Sequence, residues 1–366
     1  MISPGFPETF VSLTLQCSVV LLVALFLARR THSSAAADRI WAHSHVLVLI
    51  LCLMGALLPH FRILQPDKVL IALGQIASGA MFQTFFRTVG VVWIIGVVVL
   101  SAGTLISLIQ THSLVRRGQR ENLVDNSTPM WHSDTRQLMH ELGATVVWSS
   151  ESATPFCWQL HSPVIVLPET IRSFPPSELD AVLRHELAHL RAQHPLRLFL
   201  QRLLEIGFWY HPFVWLVSRE ASLQRELASD LLANRSVSQA TTFIRGMIRL
   251  AELCSSRTRR LVAGLRFGGA GKSMIQRRVD QILSRDWSSE ANTTESLTIG
   301  HRTVLGFTAV LAALIWIPLN PDATGRTVLS PWPAVTAAVL HEAGLEVRDY
   351  ELDRHRLHEH THEGTL

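Results

Sequence analysis

Four stretches of this chain are apolar over about the length that a bilayer requires. Residues 11–28, "VSLTLQCSVVLLVALFLA", carry no charge and end at Arg29 and Arg30. Roughly 20 apolar residues in a helix cross the hydrocarbon layer, so this reads as a spanning helix. Residues 89–109, "VGVVWIIGVVVLSAGTLISLI", repeat the pattern and are followed by Arg116 and Arg117. Residues 40–58, with His43 and His45 near their start, and residues 303–319, "TVLGFTAVLAALIWIPL", complete the set. The first stretch reads as a span rather than a secretory leader, because its arginine pair follows the apolar core instead of preceding it.

Between the third and fourth spans the pattern changes period. "GATVVWSS" and "SPVIVLPE" are short β-branched runs bounded by Gly, Ser and Pro, and they predict strands. "PPSELDAVLRHELAHLRAQHP" predicts a helix that opens at Pro176 and Ser177, with Asp180 completing a capping-box-like start, and stops before Pro195. "SREASLQRELASDLLANR" predicts a second helix. Between these two helices, "LRLFLQRLLEIGFWYHPFVWLVS" is apolar enough to suggest a fifth span. It holds Arg202, Glu205 and His211, however, and a central charge costs about 2.5 to 3.5 kcal/mol on insertion. It reads instead as a buried or membrane-surface helix, broken at Pro212, that folds back. "WPAVTAAVLHEAGLEVRDYE" predicts one amphipathic helix near the C-terminus.

The resulting layout is a hairpin of spans over residues 1–58, an external loop over 59–88 and a span at 89–109. A cytoplasmic domain at 110–302, a span at 303–319 and an external tail at 320–366 follow. Orientation follows from Arg29, Arg30, Arg39, Arg116, Arg117, Arg120 and Arg302 on one side, against Arg62, Lys68, Arg87 and Arg326 on the other. Composition agrees with a membrane protein at 48% apolar residues. The net charge of +4 does not point to nucleic acid, because residues 121–300 hold 19 basic and 18 acidic side chains. The four cysteines form no disulfide framework, which suits a reducing compartment. The tail is acidic and histidine-rich, with His341, His355, His358, His360 and His362 at no fixed ligand spacing.

The candidate chemistry lies in "RHELAHLRAQH", residues 184–194. With 18 His and 18 Glu in 366 residues, a His-Glu-x-x-His pattern arises by accident about 0.04 times. On a helix, His185 and His189 project from one face and can meet one ion, while Glu186 is rotated toward a water on that ion. Catalytic zinc typically takes three protein ligands and leaves a position for water. Glu226 supplies the third from the next helix, and Asp230, four residues on, holds a ligand histidine by hydrogen bond. Glu186 is then the general base of peptide hydrolysis, accepting a proton from water and returning it to the leaving amine. His161, His194, Tyr210 and His211 could donate to an oxyanion by side-chain type, and none is assigned. "PVIVLP" could offer an edge to an extended substrate, with a structural strand as the plainer reading.

"TPFCWQLHSPVIVLPETI", "ELDAVLRHELAHLRAQHPL", "GFWYHPFVWLVSRE" and "RELASD", in that order, resemble the M56 family of membrane metallopeptidases, which contains the antibiotic-sensing BlaR/MecR proteins. The resemblance implies a polytopic α-helical membrane protein of about four spans with an inserted α+β gluzincin-like zinc metalloprotease domain. It also implies zinc held by His185, His189 and Glu226, Glu186 as base, and a signalling role as an antirepressor that cuts a cytoplasmic transcriptional repressor. Two departures stand out. His194 occupies a position where such proteins usually have Asp. Only 47 residues follow the fourth span, where β-lactam sensors carry a penicillin-binding domain, so sensing of that kind is not expected.

The expected location is the inner (cytoplasmic) membrane, multi-pass. The expected partners are the lipid bilayer and a protein substrate of the winged-helix repressor class, without direct nucleic-acid contact; a homodimer is left open. The competing readings are a signalling scaffold with a structural metal and a quality-control membrane protease. A protease with its zinc inside the bilayer is disfavoured by Glu178, Asp180, Arg184 and Arg191 on the motif helix.

Overall fold

A computed structural model describes residues 6–61, 80–120, 131–159, 162–261, 270–285, 287, 299–317 and 329–349. The apolar runs become helices α1 (Phe6–Arg30), α2 (Ser34–Leu57) and α3 (Ala80–Arg117). Strand β1 (Gln119–Arg120), helix α4 (Ser133–Leu142) and strands β2 (Thr145–Ser149), β3 (Phe156–Trp158) and β4 (Val164–Pro168) follow. Helices α5 (Pro176–Arg191), α6 (His194–Gly207), α7 (Pro212–Ala233), α8 (Val237–Leu261) and α9 (Ala270–Ser284) build the remainder of the middle region. Helices α10 (Ile299–Ala313) and α11 (Ala334–Glu342) end the described chain. Three of these, α1, α2 and α3, are long and apolar enough to cross a membrane, and α10 is a shorter apolar helix.

The fourth apolar helix is therefore shorter than its sequence pattern, which runs over 303–319. Its end has a physical cause on α1, where Glu8, Ser12 and Gln16 recur every four residues along one buried face. Gln16 Nε2 donates to the carbonyl of Ile315 at 2.9 Å, the Ile317 amide donates to Ser12 Oγ at 3.0 Å, and Trp316 Nε1 donates to Glu8. Gln16 and Ser12 thereby satisfy backbone groups that a continued helix would have satisfied itself. At the same end, Phe61 pairs with Leu329 and the Ser330 amide donates to His60 O at 2.8 Å.

The sheet order is β1-β2-β4-β3, with β2 and β4 parallel and the two outer strands antiparallel to their neighbours. The "PVIVLP" segment is thus an interior strand, and β3 is the edge strand beside it. A strand buried on both faces reads as a continuous apolar run, which is why β4 shows no alternation with polar residues. Ile165 and Leu167 join Leu183 and Leu187 of α5 in one core, while Val164 and Val166 point to the other face with Val147, toward Leu108, Leu114 and Val115 of α3. The motif helix is held by this packing.

The α5 start differs from the capping box suggested by Ser177 and Asp180. Pro175 is the N-cap, Pro176 takes the first helical position, and no side chain caps the helix. Pro suits that position because its missing N–H would be unpaired there. Asp180 is drawn elsewhere, accepting from the His132 amide at 2.9 Å and pairing with Arg184 at 3.2 Å.

At the other end, Gln193 is the one non-glycine residue with positive φ among those described, at 57°. This left-handed turn ends α5 at Arg191 and starts α6 at His194, so Pro195 opens the next helix rather than only closing the last. Helices α6 and α7 form a hairpin whose tip, residues 208–211, packs between apolar helices. Tyr210 bonds to Thr14 at 2.6 Å, His211 Nε2 lies 2.9 Å from Ser18 Oγ, and Trp93 Nε1 donates to Gly207 O at 2.9 Å. Leu204, Phe208, Val214 and Val217 share one core with Val20, Leu21, Ile40 and Trp41 of α1 and α2. The apolar segment after the motif is accordingly a helical hairpin that returns α7 to α5.

Candidate metal centre

Helix α5 carries His185, Glu186 and His189, and α7 lies against it carrying Glu226 and Asp230. The ring nitrogens His185 Nε2 and His189 Nε2 face each other at 3.1 Å. Glu226 reaches both, with Oε2 3.6 Å from His185 Nε2 and Oε1 3.6 Å from His189 Nε2. One ligand atom from each of these residues lies within 4.8 Å of the others. Nitrogen and oxygen ligands 2.0–2.2 Å from a tetrahedral zinc stand about 3.3 to 3.6 Å apart, so the donor set fits such an ion. The two histidines and Glu186 are buried, and the Glu226 side chain is the most open of the four at 28% exposure. They line a pocket of about 330 Å³ with Phe156 and Cys157 of the edge strand β3.

Asp230 Oδ1 lies 3.1 Å from His185 Nδ1, close enough for charge contact although off the line of a hydrogen bond. Both Asp230 oxygens instead receive Arg278 of α9, each at 2.7 Å. Arg278 also pairs with Glu226 at 3.1 Å and stands over the ring of Phe243, which in turn stacks on His185. Behind His189, His194 Nδ1 lies 2.8 Å from His189 Nδ1, and its Nε2 lies 3.3 Å from Asp38 on α2. Asp38 is held by Arg197.

The sequence reading missed both Arg278 and Asp38. A buried pair of acids demands a cation, but "IQRRVDQIL" offers both Arg277 and Arg278 and its spacing does not select one. Tyr210 and His211 turn to α1, away from the site, and His194, though it lines the pocket, turns its ring nitrogens to His189 and Asp38. His161 lies outside the described residues, as do His355, His358, His360 and His362.

The protonation pattern follows from burial and charge. Burial pushes the Glu186 carboxyl up to about 7, and Glu226 adds to this against the pull of His185 and Arg278. Burial acts against ionised Glu226 too, yet His185, His189 and Arg278 outweigh it and hold that carboxylate well below its ordinary range. For His185 burial favours the neutral ring, and the Asp230 and Glu226 carboxylates reverse this and raise it to about 9. A cation entering the cage would displace that proton. His189 is held well below its usual value by burial and by positive neighbours, so its ring is neutral.

Two buried histidines and a carboxylate around one point, with a second carboxyl poised near neutrality and apolar helices on the same chain, define the class: a membrane-anchored protein of metallopeptidase type. More particularly, residues 8–282 match the model of the BlaR1 peptidase M56 family, and the chain belongs to that family. It is 26% identical over 248 residues to the regulatory protein BlaR1 of Bacillus licheniformis. The match covers 67% of this chain and 39% of that protein, so the chain spans well under half the length of its curated relative.

Proposed function

We propose that the chain is a zinc endopeptidase whose site faces the cytoplasm and whose substrate is a winged-helix transcriptional repressor. The observation that carries the catalytic part is the meeting of His185, His189 and Glu226 beside the buried Glu186. Zinc held by these three residues would supply Lewis acidity toward a peptide carbonyl and make water a stronger acid.

The chain's own part is proton handling and orientation. Glu186, with its carboxyl near 7, is matched to accept a proton from the attacking water at neutral pH and to return it to the leaving amine. A purely structural metal has no use for such a base. Arg278 and Asp230 fix the positions of Glu226 and His185. An extended peptide can approach along β3, which ends the sheet and lines the pocket.

Arg29 and Arg30 end α1, Arg116 and Arg117 end α3, and Arg302 lies in the first turn of α10. Asp38, near the start of α2, touches His194 beside the site. This basic end is the one that carries the site, which supports a cytoplasmic placement. The printed name of the Bacillus licheniformis relative, a regulatory protein, supports a signalling role over bulk turnover.

Comparing repressor fragments in cells that express the wild type or Glu186→Gln, alongside whole-proteome N-terminal profiling, tests the reading. Fragments should depend on Glu186. Equal fragments in both strains would remove this chain as the protease, and cuts confined to misfolded membrane proteins would replace signalling with quality control.

A further inference from the structure

His189 presents Nε2 to the pocket and turns Nδ1 away from it, 2.8 Å from His194 Nδ1. Two ring nitrogens at that distance share one hydrogen, and its owner decides what His189 can do. For Nε2 to offer a lone pair to a metal, a neutral His189 must carry its hydrogen on Nδ1 and donate it. His194 Nδ1 must then be the acceptor, which places the hydrogen of His194 on Nε2. That atom faces Asp38 Oδ2 at 3.3 Å, and an ionised carboxylate only accepts. The opposite tautomer of His194 would put a hydrogen on Nδ1 and force the hydrogen of His189 onto Nε2, where it blocks the lone pair.

We propose that Asp38, in the second turn of an apolar helix, is a positioning residue that sets the tautomer of His189 through His194. The inference rests on His189 being a metal ligand. Asp38, His194 and His189 are all buried, so water does not substitute for the carboxylate. Arg197 anchors Asp38 from the start of α6, and Ser229 Oγ, 3.2 Å from His194 Nδ1, can donate to the same lone-pair side without supplying a negative acceptor at Nε2. The chain of contacts spans four elements: α2, α6, α5 and, through Ser229, α7. It ties a ligand of the pocket to a helix that is apolar enough to cross the membrane.

The test uses the full chain in detergent, titrated with cobalt(II) and followed by its visible ligand-field absorption, with zinc affinity measured by competition against a chelator. Asp38→Ala should weaken both metals on the order of tenfold and shift the cobalt spectrum, as loss of an outer hydrogen-bond partner does. The discriminating variant is His194→Asn, because Asn Oδ1 can take the place of His Nδ1 and accept from His189 without help. In the His194→Asn background Asp38→Ala should cost no further affinity, even though it leaves Arg197 unpaired in both backgrounds. Wild-type affinity in Asp38→Ala, or an equal loss in the two backgrounds, would overturn the proposal. A wild-type chain that takes up neither cobalt nor zinc would instead sink the ligand assignment beneath it.

Discussion

Arg278 holds Asp230 through a two-point grip, Nε to one carboxylate oxygen and Nη2 to the other, each at 2.7 Å. Asp230 is almost fully buried and Arg278 nearly so, and the pair closes α9 onto α7 beside the pocket. Removing one partner of a buried ion pair leaves the other uncompensated, at about 3 to 5 kcal/mol. Arg278→Gln should therefore lower the thermal unfolding temperature of the detergent-solubilised chain markedly. Arg278→Lys should rescue little, since an ammonium cannot reproduce the planar fork. A lysine variant as stable as the wild type would show that charge alone matters there.

The contact of Asp230 with His185 has a separate consequence. Asp230→Ala should weaken zinc about 10- to 100-fold while leaving the three ligands in place. Competition with a chelator measures it, and unchanged affinity would confine Asp230 to pairing with Arg278.

Two glycines on α3 should respond with opposite signs to one substitution. A Cβ on Gly96 would lie 2.3 Å from the Trp209 ring at the tip of the α6–α7 hairpin, whereas a Cβ on Gly103 meets nothing within 4 Å. Ala is favoured over Gly in a helix by about 1 kcal/mol, so Gly103→Ala should be neutral or stabilising. Gly96→Ala must displace an indole whose Nε1 also donates to Trp93 O at 3.3 Å, and should destabilise by about 1 to 3 kcal/mol. Thermal melts of the two variants give the comparison.

Orientation is open to reporter fusions. Alkaline phosphatase fused after residue 240 should be inactive and after residue 340 active, because the enzyme folds only outside the cytoplasm. The reverse pattern would place the pocket outside the cell.

What was legible in the sequence is what short-range periodicity encodes. His185 and His189 are four apart on a helix, and Glu226 and Asp230 repeat that spacing, so one local rule nominates both halves of the site. The supports of the site obey no such rule. Asp38 lies 156 positions before His194, just ahead of an apolar segment, and Arg278 lies 48 positions after Asp230. Each becomes visible only when folding brings the helices together. Strand β3 was missed for another reason: its three residues are too few to show a period, and its place is fixed by pairing with β4. The Ser177 cap failed because the local rule competes with Pro176 and with the pull of His132 and Arg184 on Asp180.

The zinc content of the purified chain, measured by elemental mass spectrometry after exhaustive dialysis, tests the account most directly. Wild type and Glu186→Gln should each retain about one zinc per chain, because a base beside the ion is not a ligand. His185→Ala, His189→Ala and Glu226→Ala should each lose most of it. Full zinc retention in Glu226→Ala would contradict the assignment of the third ligand and, with it, the reading of this pocket as a catalytic zinc site.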